Sequence, residues 1–375
     1  MKFNFHVSPN IKGALTTQKI MKELTMALLV VFACGCVYYS SAWGIEYGMN
    51  AIVLLASSLA TTFVCEAIFA KIMKKDIKSF IKNSFGWVTS IILVMMVPVS
   101  LKPYAIIVAT VFAIVVARLL FGGFGNNVFN PAAVGMAVVS TSFPTARIVD
   151  LMTSATPTGV VANAYHWLPA SESVLDSFFH TYNGFSSLAI GTYPGAIGET
   201  FTILILVLGV ILAIRNVIDW RVPTVYLGTI AVMTALIAVF TGLPSYHGIP
   251  ALIWYPALHL VTGGIVYGAV FMLTDPVTNP TSAAGRVIFA MGAAILTVLL
   301  RMNSNLPEGC MFSILLMNMF TPMIEQALDG KQLDLKKKVY KIAICFVILA
   351  LSVVFYAASS VEPVGQVVAS LGGIL

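Results

Sequence analysis

The sequence predicts an all-α polytopic membrane protein of two inverted five-helix repeats, ten transmembrane helices in all, followed by an extra C-terminal helix. Three observations predict it. Of the 375 residues, 59% are hydrophobic and only 10% charged, against roughly 25% charged in soluble domains. A transmembrane helix needs about 20 apolar residues, and eleven such stretches are centred near residues 33, 60, 93, 112, 135, 207, 231, 263, 293, 317 and 348. The basic residues are one-sided. With a cytoplasmic N-terminus, 18 of the 21 Lys and Arg residues fall on inside segments and only Lys102, Arg147 and Arg301 on outside ones, the bias that fixes orientation during insertion. The net charge of +6 is therefore a topology signal, and no nucleic-acid partner is expected.

Residues 1–23 form the cytoplasmic N-terminus. It carries Lys2, Lys12, Lys19 and Lys22 but no short apolar region with a small-residue cleavage site, so no removable signal peptide is expected. The first repeat occupies residues 24–143. Its first two spans, Leu24 to Trp43 and Met49 to Ala70, make a hairpin closed inside by the run Lys71 to Lys82. Glu66 lies near the cytoplasmic end of that hairpin. An ionisable group within a span is a functional group by default, and a structural pair with Lys71 is the equal alternative. Cys34, Cys36, Cys65, Cys310 and Cys345 all lie within or beside apolar runs. Cys34 and Cys36 fall on roughly opposite helix faces, a poor geometry for a shared metal or disulfide, so all five read as small membrane hydrophobes and no metal site is expected.

Spans three and four are separated by Pro98-Val99-Ser100-Leu101-Lys102-Pro103, and span four ends at Arg118 before the segment Gly122 to Pro131. Glycines there permit close backbone approach and unusual dihedrals, and Pro131 suits the first turn of a fifth helix. A glycine-rich loop running into a helix N-terminus is a ready anion site, although no Gly-Lys-Ser or Gly-Lys-Thr follows to make it a Walker sequence.

Residues 144–197 form an extracytoplasmic loop. It opens with a polar island, Asp150 to Gly159, that holds Thr153, Ser154, Thr156 and Thr158 beside Asp150 and Pro157. These residues form turns for local hydrogen-bonding reasons, and as chemistry they present hydroxyls to solvent. The second repeat occupies 198–327. Gly198-Glu199-Thr200 opens span six, and Arg215 to Arg221 turns inside. Span eight is rich in small residues, Gly263, Gly264 and Gly268, as close helix packing in lipid favours. It ends at Thr274 to Pro280, span nine runs to Arg301, and residues 303–309 lead into span ten. Residues 328–375 hold a basic cytoplasmic loop, the extra helix at about Val339 to Tyr356, and a tail.

The halves echo each other. Pro98-Val99-Ser100 with Pro103, then a span ending at Arg118, parallels Pro276-Val277-Thr278 with Pro280, then a span ending at Arg301. A phenylalanine, Phe129 or Phe312, stands eleven residues after each arginine. Inverted repeats with proline-broken helices place sites at the repeat interface. Irregular backbone at membrane depth survives only inside protein or beside a wet cavity. The two interrupted elements, Gly122 to Pro131 and Asp275 to Pro280, therefore suggest one shared internal site using Gly123, Asn127, Asn130, Asp275 and Thr278, with Gly123 needed for close approach. The alternative is a pair of cytoplasmic turns without a ligand.

Taken together, these motifs resemble the RnfD subunit family of the Rnf ion-translocating electron-transport complex, a ferredoxin:NAD oxidoreductase, which is similar to the NqrB subunit of the sodium-pumping NADH:quinone oxidoreductase. The residues that carry the resemblance are Val7-Ser8-Pro9 with Ile20-Met21, Gly122 to Ala132, Ser154-Ala155-Thr156, Gly198-Glu199, Thr274 to Pro280 with Gly285-Arg286, and Met317-Asn318 with Thr321-Pro322. The resemblance implies FMN joined by a phosphoester to Thr156, with Asp150, Ser154 and Ala155 around it, installed by a flavin transferase. It further implies a second, noncovalent flavin (riboflavin or FMN), the other Rnf complex subunits (A, B, C, E and G) as partners, contact with membrane lipid, and Na+ or H+ as the translocated ion. The place implied is a bacterial inner (plasma) membrane, crossed many times. The role implied is that of a flavoprotein subunit of a translocating oxidoreductase, with redox chemistry on the cofactor and no catalytic side chain. Two departures stand out. The attachment element is Ser-Ala-Thr rather than Ser-Gly-Ala-Thr, and the family usually ends soon after the counterpart of Pro322. An NqrB-like subunit, disfavoured by a short 23-residue N-terminus, and a stand-alone inverted-repeat transporter are the alternatives.

Overall fold

The computed structural model describes residues 15–151, 155–169, 171–304, 309–330, 332–361 and 364, with the side chains of 332–336 excepted. The described chain is built of helices and turns, and its apolar composition makes it a polytopic membrane protein. Six helices are long and apolar enough to cross a membrane, seven if one bent pair is taken as a single span.

α1 (Thr17–Ala42) starts where the Thr16 hydroxyl accepts from Lys19 N at 3.2 Å, and α2 (Ile45–Ile72) follows a turn at Gly44 with φ of 118°. α2 buries a stripe at every fourth residue, Asn50, Leu54, Ser58, Thr62, Glu66 and Ala70, which lies on one helix face. Its polar members bond across the bundle. Asn50 Nδ2 donates to Val99 O (2.5 Å), Ser58 pairs with Thr110 (2.8 Å), Thr62 with Ser90 (2.5 Å), and Ser84 Oγ donates to Glu66 Oε1 (2.5 Å). Small and hydroxyl side chains substitute here for the hydrophobic drive that lipid removes. α3 (Ile77–Ser84) is capped by Asp76, and α4 (Gly86–Met95) packs on α2. α5 (Pro103–Val111) continues as a π-helical stretch, Phe112–Leu119. α6 (Pro131–Ser142) completes the first group.

Three short helices, α7 (Pro157–Tyr165), α8 (Glu172–Thr181) and α9 (Gly184–Ile190), lie in the 144–197 segment. α10 (Thr202–Ile214), α11 (Arg221–Phe240) and α12 (Ala251–Val261) follow. α13 (Ile265–Tyr267) continues as a second π-helical stretch, Gly268–Met272. α14 (Ala283–Asn303), α15 (Cys310–Leu328) and α16 (Gln332–Ser360) close the order.

The eleven predicted stretches all fall on helices or on a helix break, but not all are full spans. Near residues 93, 112, 135 and 207 the helices are 10 to 17 residues long; at a rise of about 1.5 Å per residue the shorter ones fall well short of the roughly 30 Å hydrocarbon layer. Prolines set these limits, with α4 ending before Pro98 and α5 and α6 opening on Pro103 and Pro131. Near residue 263 the predicted span breaks, with α12 and α13 bent by 71°. Thr262 leaves the helix in extended backbone and Gly263 takes φ of 73°. The carbonyls freed there accept from Arg301, Nη1 to His259 O at 2.8 Å and Nη2 to Thr262 O at 2.9 Å.

Two ends of the bundle are defined by contact. At one end Glu23 meets Arg215 (2.8 Å) and Asp219 meets Arg286 (2.6 Å). At the far end of α1 the Tyr39 hydroxyl donates to Gly195 O at 2.7 Å. There the 144–197 segment is stitched to the helices by the bridges Pro98 with Ala196 and Leu101 with Arg147.

Candidate functional site

Two places concentrate polar chemistry. The first is the N-terminus of α7. Thr156 is exposed, adopts extended backbone (φ −74°, ψ 146°), and its Oγ1 accepts from Gly159 N at 3.1 Å. The hydroxyl therefore caps a nine-residue helix. Pro157 occupies the first helical position, where a missing N–H costs nothing. A Cβ at Gly159 would sit 3.0 Å from Thr156 Oγ1, so glycine keeps the space beside that oxygen open. The preceding residue is held from the end of α8, since the Tyr182 hydroxyl donates to Ala155 O at 2.8 Å. Asp150 is exposed; its carbonyl accepts from the Tyr47 hydroxyl at 3.5 Å. Its carboxylate is not directed to Thr156 by any bond. Ser154, together with Met152 and Thr153, lies outside the described residues.

This geometry fits a phosphoester. An exposed hydroxyl is open to a transferase, and a phosphate on Oγ1 would lie at a helix N-terminus, whose unsatisfied N–H groups and dipole favour negative charge. The oxygens of that phosphate would take over the capping role that the free hydroxyl now fills.

The second place is where the two interrupted elements meet. Each follows directly on a π-helical stretch, closed by Leu120 N to Val115 O (3.0 Å) in one case and Leu273 N to Gly268 O (2.8 Å) in the other. Such π bulges recur at functional positions. Beyond them Arg118, Asn127, Asn130, Thr274 and Asp275 line one cavity of about 70 Å³. Asn130 is its organiser. Its Oδ1 accepts from Ala132 N (3.1 Å) and Ala133 N (3.3 Å), its Nδ2 donates to Met272 O (3.2 Å), and its own N–H donates to Asn318 Oδ1 (2.9 Å). Asp275 accepts from Val277 N (3.1 Å) and the Thr278 hydroxyl (3.3 Å), and Asn127 Nδ2 donates to Phe129 O (3.2 Å). Arg118, 2% exposed, acts electrostatically on both Glu66 and Asp275 and lies 5.4 Å from the centre of the Phe124 ring.

The structure thus brings Asn127, Asn130 and Asp275 together, with Thr278 behind Asp275. Gly123 does not line the cavity. A Cβ there meets nothing within 4 Å, and its φ is +95°, so glycine serves the backbone conformation and not a close approach. A valine at this position would be strained whatever occupied the site. At about 70 Å³ the cavity has room for water or a small ion. Glu66 is not paired with Lys71; it is fully buried and takes its bond from Ser84. Sequence reading missed Asn318 and Tyr182 as site residues, since their partners lie 188 and 27 residues away. The Met317-Asn318 motif was the only available signal.

The described chain is thus an all-helical, polytopic membrane body with a hydroxyl-capped helix N-terminus in its 144–197 segment and a polar junction between broken helices. The chain belongs to the NQR2, RnfD, RnfE family, whose model matches residues 4–334. It is 32% identical over 333 residues to the D subunit of the proton-translocating ferredoxin:NAD(+) oxidoreductase complex of Clostridium ljungdahlii, covering 86% of this chain and 94% of that protein. It is 33% identical over 326 residues to the D subunit of the Na(+)-translocating ferredoxin:NAD(+) oxidoreductase complex of Acetobacterium woodii, covering 85% and 91%. The D subunit of the ion-translocating oxidoreductase complex of Pseudomonas paraeruginosa is 30% identical over 331 residues, covering 85% and 92%.

Proposed function

We propose that this chain is the membrane flavoprotein subunit of an Rnf-type complex, in which electrons pass between ferredoxin and NAD while Na+ or H+ is moved across a bacterial inner membrane. The observation that carries it is the exposed, helix-capping Thr156 hydroxyl with its open space at Gly159, within a chain matched to this family over residues 4–334. FMN joined there by a phosphoester would supply one- and two-electron transfer, the chemistry being the cofactor's own. The protein's part is to hold the group. Thr156 gives the anchoring oxygen, the first turn of α7 stabilises the phosphate charge, and Tyr182 fixes the loop through Ala155. Other subunits of the complex and a flavin transferase are the partners of this reading.

The N-terminus is read as cytoplasmic and residues 144–197 as extracytoplasmic. The basic asymmetry supports this, as does the grouping of Glu23, Arg215, Asp219 and Arg286 at the end of the bundle away from Gly195. The two repeats are read as α1, α2, α4, α5 and α6, and then α10, α11, the bent α12–α13 pair, α14 and α15. In support, Arg118 and Arg301 both stand near the end of the fourth member, both are buried, and each lies by an aromatic ring, Phe124 at 5.4 Å and Trp167 at 4.8 Å. The junction of Asn127, Asn130 and Asp275 is read as an ion or proton site. That junction would equally serve a stand-alone transporter, the second reading. The purified protein separates the two, since the flavoprotein keeps the visible absorption of a flavin after denaturation and washing, and a transporter leaves that region of the spectrum empty.

A further inference from the structure

α16 is the part of the fold that the family reading leaves without a role. The family match ends at residue 334, the third residue of a 29-residue helix. α16 packs on α14, α11 and α15, and it is pinned near both ends. Lys338 Nζ donates to Asp329 O at 2.8 Å, and Asn303 Nδ2 donates to Ser360 Oγ at 2.7 Å. Val354 and Ala357 are fully buried toward its C-terminal end. Toward the other end the helix stands off from its neighbours. It leaves a crevice of about 430 Å³ between α14, α15 and α16, lined by apolar side chains alone, among them Ile295, Met317, Ile324, Ile342 and Phe346.

A void of that size between packed helices forfeits the dispersion contacts of its walls, so something apolar fills it in a membrane. The charge pattern says what. Lys338, Ile342 and Phe346 follow at intervals of four on one helix face, so the basic side chain stands one turn from the apolar wall. Lys337 and Lys341 flank it, and all three lysines are exposed. Among the described acidic neighbours none is ion-paired with these lysines, Glu325 Oε1 accepting from Thr281 N (2.8 Å) and its hydroxyl (2.9 Å), and Asp329 Oδ1 accepting from Gly330 N (2.8 Å). An apolar slot with a cationic mouth complements a molecule with an acyl chain and an anionic head.

We propose that the α14–α15–α16 crevice is a binding site for an anionic phospholipid. One acyl chain lies along Ile295, Met317 and Phe346, and the phosphate-bearing headgroup sits on Lys337, Lys338 and Lys341. This gives α16 a function: with α14 and α15 it forms a built lipid site at the edge of the subunit.

The test places a reporter in the slot. Phe346→Trp adds a sixth tryptophan to the five native ones, and its fluorescence is the difference from the parent chain. The full-length protein is reconstituted in phosphatidylcholine vesicles with increasing fractions of brominated phosphatidylglycerol or brominated phosphatidylcholine. The expected result is quenching of the introduced indole at lower fractions of the phosphatidylglycerol, with a preference of at least about fivefold, the contribution of one lysine near a charged lipid surface. In a second chain carrying also Lys337→Gln, Lys338→Gln and Lys341→Gln, with its melting temperature compared with the parent because Lys338 also bonds Asp329 O, the preference should fall to about one. Equal quenching by both lipids, an unchanged preference in the triple variant, or no quenching by either would overturn the proposal. The last result would mean that the crevice is closed or covered by protein.

Discussion

Asn130→Ala is the sharpest perturbation of the inner junction, because one side chain there both caps α6 and ties it to the second π-helical stretch. Its Oδ1 caps α6 and its Nδ2 ties α6 to the end of the second π-helical stretch at Met272 O. The bond from its backbone N–H to Asn318 does not depend on the side chain. Loss of an N-cap costs about 1 kcal/mol. Loss of the tie to Met272 costs about another 0.6–1 kcal/mol, typical of a polar contact in a membrane protein, and not the full penalty of an orphaned carbonyl, because Asp275 N also donates to Met272 O at 3.3 Å. The sum is about 2 kcal/mol, a roughly thirtyfold rise in the open population. Asn130→Ser keeps an equivalent cap and should lose only the tie, about half as much. Limited proteolysis in detergent, at a protease concentration where cleavage follows the open population, reads both variants. Equal losses for alanine and serine, or a loss under about 0.5 kcal/mol for alanine, would refute the assignment of Asn130 as the organiser of this junction.

Three further outcomes follow from the geometry. Burial alone would raise the Asp219 carboxyl, but the Arg221 N–H and the Arg286 guanidinium outweigh it and hold it below its ordinary value of 3.8. A depressed carboxylate stabilises the fold above that value and ceases to as pH falls through its folded pKa. The melting-temperature gap between the parent chain and Asp219→Asn should therefore be constant from pH 7 to about 5 and close only below pH 3.8; a gap that closes near pH 6 would contradict it. Gly86→Ala drives a Cβ into the Glu66 carboxylate and the Thr62 methyl, an overpacking of about 1–3 kcal/mol. That cost should shrink in a Glu66→Ala background, and an additive double mutant would count against the contact. In a chain stripped of its native cysteines, Asn183→Cys should react with a membrane-impermeant maleimide in intact cells and Asn83→Cys should not; the reverse pattern overturns the orientation.

The long helices were legible because a span is a local property. α1, α2, α11, α14 and α16 each rest on a long apolar run that needs no partner to be recognised, whereas α15 is interrupted by Asn318 and Pro322. The breaks were not. Gly263 and Gly264 read as small residues for close packing, and it is Arg301, 39 residues from Thr262, with Tyr193 on Val261 O, that makes the break at that point sustainable by taking up its carbonyls. The same distinction divides the sites. Thr156 was legible from turn-forming neighbours and from the resemblance of its motif, and Asp275 from the prolines around it. The meeting of Asn130 with Asn318, and of Glu66 with Ser84 instead of Lys71, depends on how helices pack, which periodicity does not encode.

Covalent flavin at Thr156 is the claim on which the proposed function rests most directly, and a denaturing gel tests it. The purified parent chain should give a band that fluoresces under ultraviolet light, and its tryptic peptide containing Thr156 should carry the added mass of FMN. Thr156→Ala should give a dark band at normal protein yield. Thr156→Ser, which keeps both the hydroxyl and the helix cap, should retain fluorescence. A fluorescent Thr156→Ala band would contradict the account and move the attachment to Thr153 or Thr158, whereas a dark parent band would remove covalent flavin from this chain.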